Sequence, residues 1–162
     1  MSLVQHRRGW VIFFSFLIAL ALTIMPLPGE LELFRPEWVA LVLIYWCMAL
    51  PSRVGVASGW FAGLVLDVSR DALLGEHALA LALIAFLTLH LHQRVRVFPL
   101  WQQSLSVFVL IMLQGLIILW SKGFIGESPG FLNMMASAVT SMMVWPVVYI
   151  LLRHTRRTYQ VT

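Results

Sequence analysis

The sequence predicts an all-α protein that crosses a lipid bilayer about six times, and three observations predict it. Hydrophobic residues make up 60% of the 162-residue chain against 11% charged, with a mean hydropathy of +0.89. A soluble domain carries roughly 25% charged residues and leaves much of its surface wet, so so apolar a chain needs an apolar solvent. Apolar runs recur between short breaks of charge, proline or glycine. The charges sort into two sets when those runs are taken to alternate in direction.

The first run covers about 9–27 and ends at Pro26 and Pro28. It opens after His6, Arg7 and Arg8 and contains Ala19-Leu20-Ala21, which together imitate a signal peptide. The small-residue triplet lies inside the apolar run with no polar stretch before it, so an uncleaved first helix is expected. The second run, about 36–50, stops at Pro51, and the third, about 54–66, meets Asp67. The fourth covers about 77–91, the fifth about 100–121 and the sixth about 131–152. The first, fifth and sixth approach the roughly 20 residues needed to cross the hydrocarbon core. The middle three are shorter, and a re-entrant hairpin is the rival reading for the second and third. One transmembrane domain, 1–162, is expected, with no linker, internal repeat or low-complexity tract.

Alternating spans place Arg7, Arg8, Arg53, Arg94, Arg96, Arg153, Arg156 and Arg157 on one side. Arg35, Arg70 and Lys122 fall on the other, with every acid of the chain: Glu30, Glu32, Glu37, Asp67, Asp71, Glu76 and Glu127. Basic residues accumulate on the cytoplasmic side, so both termini are expected there. The same sorting accounts for the pI near 10 without nucleic acid. Trp10, Trp38, Trp101 and Trp120 sit at span ends, as an interfacial belt requires, whereas Trp46, Trp60 and Trp145 lie deeper and read as packing residues.

Gly55, Gly59 and Gly63 recur every fourth residue on one face of the third span, and Asp67 extends that stripe by a turn. Small residues at this spacing let helices approach closely. The approaching helix is either one of this chain's own or a partner's. Asp67 reads as a helix or turn cap, or as a contact for a partner or ligand. Gln114 in the fifth span and Asn133, Ser137, Thr140 and Ser141 in the sixth are placed to hydrogen-bond across helices, or to line a substrate path.

No nucleophile–base constellation and no phosphate-binding loop is present, and no enzyme or cofactor is expected. His90 and His92 point to different helix faces, which argues against a metal site, and Cys47 has no cysteine to pair with.

The stretch from Arg35 to Ala80 reads R-P-E-W (35–38), Y-W-C-M-A-L-P-S-R-V (45–54), G-W-F-A-G-L-V-L-D (59–67) and L-G-E-H-A-L-A (74–80). Together with W-Q-Q at 101–103 and W-P at 145–146, it resembles the MreD family of rod shape-determining proteins of Gram-negative bacteria. The resemblance covers nearly the whole chain. It implies a non-enzymatic inner-membrane subunit of the cell-elongation (rod) complex. Such a subunit sits with MreC and helps connect cytoplasmic MreB filaments to peptidoglycan synthesis by RodA and its penicillin-binding partner. It also implies a six-helix fold similar to the substrate-binding subunits of energy-coupling-factor transporters, which keeps a small-molecule binding or transport role as the alternative. The matching positions include Arg35, Trp46, Pro51, Gly59, Gly63 and Asp67. Gly59, Gly63 and Asp67 are expected to shape a face that receives MreC, with Gly55, Arg35, Trp46 and Pro51 as further candidate packing or contact residues.

Overall fold

The computed structural model describes residues 9–127 and 130–161, which leaves His6, Arg7 and Arg8 outside the described residues. Among the described residues every regular element is helical. The order is α1 (Gly9–Ile24), a 3-10 turn (Gly29–Phe34), α2 (Trp38–Ala49), α3 (Val56–Ser69), α4 (Glu76–Val97), α5 (Leu100–Ile125) and α6 (Phe131–Thr158).

The breaks follow backbone chemistry. α1 stops just before Pro26, and α2 stops just before Pro51, which has no N–H to extend the ladder. α5 ends in a left-handed Gly126 (φ +83°), where Gly126 N–H donates to Gly123 O and Glu127 N–H to Lys122 O. That closure satisfies carbonyls the helix leaves open.

The helices alternate in direction. Trp10 at the start of α1 meets Tyr159, just past α6, edge to face at 5.4 Å. Met48 and Ala49 at the end of α2 share a pocket with Arg96 of α4 and Arg153 of α6. At the opposite end, the close of α3 holds the start of α4, and Lys122 of α5 faces Arg70 and Glu76 across a cleft. The charge sorting read from the sequence therefore recurs in space, giving the molecule one basic and one acidic end.

α2 is the centre. Ten of its twelve residues are buried, among α1, α4 and α6. A helix apolar on all sides must be enclosed, and here the protein does the enclosing. At 12 residues it is about 18 Å long. α3 packs chiefly on α4 rather than on α2. Three helices, α4, α5 and α6, are long and apolar enough to cross a membrane, while α1 and α3 are apolar but shorter. The outer surface is itself apolar, with Phe13, Phe61, Val68, Leu79, Trp120, Leu132 and Val147 all exposed. So large an apolar exterior is the mark of a surface made for lipid.

A polar cleft at the acidic end

The glycine stripe meets the chain's own fourth helix. A Cβ on Gly59 would lie 2.8 Å from Leu81 O and 3.2 Å from Ala85 Cβ. One on Gly63 would lie 2.5 Å from His77 O and overlap the Ala78 backbone. Gly55, at the start of the stripe, has only Leu89 at 3.4 Å. The close approach is thus made within the chain, and α4 covers the face that Gly59 and Gly63 present.

Asp67 completes that contact. It is fully buried at the end of α3, and its carboxylate points at the first turn of α4. Oδ2 accepts from Gly75 N–H at 2.8 Å and Oδ1 from His77 N–H at 2.9 Å, with Ala78 N–H more distant at 3.4 Å. These are the donors that the first turn of a helix leaves unsatisfied, and the helix dipole favours an anion there. Oδ1 also lies 2.9 Å from His77 Nδ1. A carboxylate can only accept, so the ring proton sits on Nδ1. Nε2 is then left to accept from Arg70 Nη1, at 3.4 Å.

Arg35 is built in the same manner at the other wall. Its guanidinium donates to Thr23 O at 2.5 Å and Met25 O at 2.6 Å, closing the C-terminal end of α1, and pairs with Glu32 at 2.8 Å. Ser137 Oγ of α6 donates to Arg35 O at 2.8 Å, and Glu37 N–H donates to Ser141 Oγ at 3.0 Å. The segment between the 3-10 turn and α2 is thereby fastened to α6. Trp46, fully buried, donates from Nε1 to Ser15 Oγ of α1 at 2.9 Å, and Pro51 lies exposed in the turn after α2.

Between these walls opens a cleft of about 860 Å3. The 3-10 turn and Arg35–Glu37 form one side, Arg70, Glu76 and His77 the second, Gln114 and Lys122 of α5 the third, and Asn133 and Ser137 of α6 the fourth. Five acids and three bases line it. Gln114 lies two turns below Lys122, about 12 Å along α5, so the cleft reaches well inside the bundle. Gln114 is 1% exposed and Glu76 6% exposed. Gln114 Nε2 reaches Glu37 Oε2 at 3.4 Å, but Gln114 Oε1 and Glu76 Oε1 have no donor. A buried acceptor without a donor is costly, and two on one cleft favour an occupant that supplies N–H or O–H groups.

A family model described as rod shape-determining protein MreD matches residues 6–155. The chain belongs to the MreD family. The rod shape-determining protein MreD of Haemophilus influenzae is 30% identical over 150 residues, covering 93% of this chain and 93% of that protein. No solved structure matches. Membership of a rod-shape family, with three helices fit to span a membrane, makes this a membrane protein of rod-shape determination.

Of the residues singled out by sequence, the structure brings Arg35, Gln114, Asn133 and Ser137 to the cleft. Gly59, Gly63 and Asp67 stand behind its second wall, and Gly55, Trp46 and Pro51 lie away from it. Sequence reasoning missed Glu37, Glu76 and His77 as cleft residues. The R-P-E and L-G-E-H strings place charge beside helix starts, which was the available signal.

Proposed function

We propose that this chain is a non-enzymatic inner-membrane scaffold of the cell-elongation complex, with six crossings and both termini cytoplasmic. It binds MreC directly at the acidic-end cleft and helps couple MreB filaments to peptidoglycan synthesis by RodA and its penicillin-binding partner. Family membership supports the role. The observation that carries the site is the open, mixed-charge cleft with its two unpartnered acceptors, Glu76 Oε1 and Gln114 Oε1. An opening that wide, lined by both signs of charge, suits a segment of a partner polypeptide, whose backbone and side chains supply donors.

A second reading has a specific observation in its favour. A small-molecule binding subunit calls for an enclosed polar cavity around Gln114 and Ser137; both residues line this cleft, which is open rather than enclosed. The two readings separate on purification from native membranes in mild detergent. With Glu76→Gln and Gln114→Leu combined, the scaffold reading expects MreC to be lost while the protein still inserts. The second reading expects MreC to be retained and a small molecule to disappear from the mass spectrum. Full recovery of MreC with no other change would defeat the assignment of the cleft.

A further inference from the structure

The basic end carries a second concavity. The closing turns of α2, α4 and α6 enclose a pocket of about 270 Å3. Arg96, Arg153, Arg156 and Arg157 line it with the rings of Tyr45 and Tyr149, and Met48 and Ala49 add an apolar part of the wall. Tyr45 is 2% exposed on the enclosed central helix, and it shares the pocket wall with Arg156.

Four guanidiniums converging on one small pocket repel each other. Arg153, Arg156 and Arg157 stand three and four residues apart on α6, the spacing at which like charges destabilise a helix. The chain's own acids offer no relief. It has seven Asp and Glu residues, and all of them lie at the opposite end. The helices between the two ends run about 33 Å for α4 alone, several times the roughly 8 Å over which charge is felt in physiological salt. Among the described residues no carboxylate stands at this end, and the helix dipole offsets only part of the charge, so an anion from outside is favoured there.

Location and shape say what kind of anion. Ile150 and Leu151, three and two residues before Arg153, and Val97, next after Arg96, are all exposed and apolar. The pocket therefore sits where a lipid-facing surface gives way to charge, the depth of lipid phosphates. Guanidinium forks match phosphate oxygens, and tyrosine hydroxyls add single donors. A bias of arginine toward one membrane side does not by itself require concavity: Arg53 and Arg94 satisfy that bias outside the pocket.

We propose that this pocket binds the phosphodiester headgroup of an anionic phospholipid in the leaflet at the basic end. Basic pockets between membrane helices hold such headgroups in general. The lipid would fix the closing turns of α2, α4 and α6 relative to each other, coupling the central helix to the surrounding membrane.

The test uses the full chain in neutral detergent, with bound lipid counted by native mass spectrometry during titration. The probes are short-chain phosphatidylglycerol, short-chain phosphatidylcholine, sodium phosphate and a polyglutamate peptide. Phosphatidylglycerol is expected to bind in preference to phosphatidylcholine. Combining Arg153→Gln with Arg156→Gln should weaken it about twenty-five-fold, at about fivefold per arginine near an anionic surface. Arg94→Gln, which removes a charge from the same end but outside the pocket, acts only through screened solvent and should leave binding within about twofold. Arg96→Gln, on a different helix, should weaken binding in the same direction and serves if the double variant fails to fold. Equal binding of the two lipids overturns the proposal, as does an equal loss in Arg94→Gln. Sodium phosphate competing at the same concentration as the lipid would make this a free-phosphate site. Polyglutamate binding more tightly than the lipid would make it a site for an acidic protein segment. Either result overturns the lipid assignment.

Discussion

Adding one methyl group at Gly63 should separate α3 from α4, and the structure sets the size of the effect. A Cβ there lies 2.5 Å from His77 O and overlaps the backbone of Ala78, neither of which is a flexible side chain. Ordinary contact requires about 3.5 Å, so the helices must move apart by about 1 Å. Asp67 lies one turn further along α3, and its bonds of 2.8 and 2.9 Å to Gly75 and His77 would stretch beyond hydrogen-bonding range. Overpacking costs about 1–3 kcal/mol and a lost helix cap about 0.5–2 kcal/mol, against a gain of about 1 kcal/mol from replacing glycine inside a helix. Gly63→Ala should therefore destabilise by about 0.5–4 kcal/mol, or up to several degrees in melting temperature for a chain of this size. At Gly59 the nearest atom is 2.8 Å away, the required shift is about two-thirds as large, and the propensity gain offsets much of its cost. At Gly55 the only neighbour is a leucine methyl at 3.4 Å, and no loss is expected. Melting of the three alanine variants in detergent, followed by size-exclusion chromatography, reads the order directly. If Gly63→Ala melts with the unchanged chain, or Gly55→Ala is the worst of the three, the packing argument fails.

Asp67→Ala should cost about 3–5 kcal/mol, because it leaves buried donors of Gly75 and His77 without an acceptor, and Asp67→Asn should cost less. Hydrogen exchange at residues 75–78 should rise in the alanine variant before global unfolding. Arg35→Ala should fray the end of α1, at about 1–3 kcal/mol for two charged hydrogen bonds, seen as faster exchange at residues 23–25. Arg35→Lys should not restore it, since an ammonium cannot fork to Thr23 O, Met25 O and Glu32 together. Cysteines at Arg94 and Glu127 should label from opposite sides of sealed membranes, with Arg94 on the cytoplasmic side. Labelling of both from one side would refute six alternating crossings.

The sequence carried the helices further than their ends. Every apolar run corresponds to a helix, because hydropathy and backbone regularity rise together in a membrane solvent. α4, α5 and α6 extend beyond the expected 77–91, 100–121 and 131–152, reaching Val97, Ile125 and Thr158. Hydropathy senses where lipid stops, and a helix need not stop there. Arginines in the last turns of α4 and α6 favour continuation because they meet the negative end of the dipole. α1 and α2 are shorter than the expected 9–27 and 36–50, since Pro26 interrupts the first run and Pro36 and Pro51 bound the second. Nothing in α2 distinguished a lipid-facing helix from an enclosed one, as both are apolar on every side. The cleft was still less legible. Its walls are joined by bonds such as Glu37 N–H to Ser141 Oγ, 104 residues apart, and no local pattern encodes such a pairing.

The glycine stripe and Asp67 hold one wall of the cleft in place. α3 ends on Asp67, Asp67 fixes His77, and His77 and Arg70 then face the opening. A substitution at Gly63 or Asp67 that abolished partner binding would therefore have two explanations, a lost contact and a displaced wall. Because α4 covers Gly63 and Asp67 is fully buried, the geometry favours the displaced wall. Glu76 and Gln114 separate the two, because their free oxygens line the opening and the one bond lost with Gln114, to Glu37 Oε2, is long at 3.4 Å. Loss of the partner in Glu76→Gln and Gln114→Leu with an unchanged melting temperature would be a contact. Loss in Gly63→Ala with a lowered one would be architecture. The residues with the most recognisable spacing in the sequence thus stand behind the cleft, and those with no spacing signal line its opening.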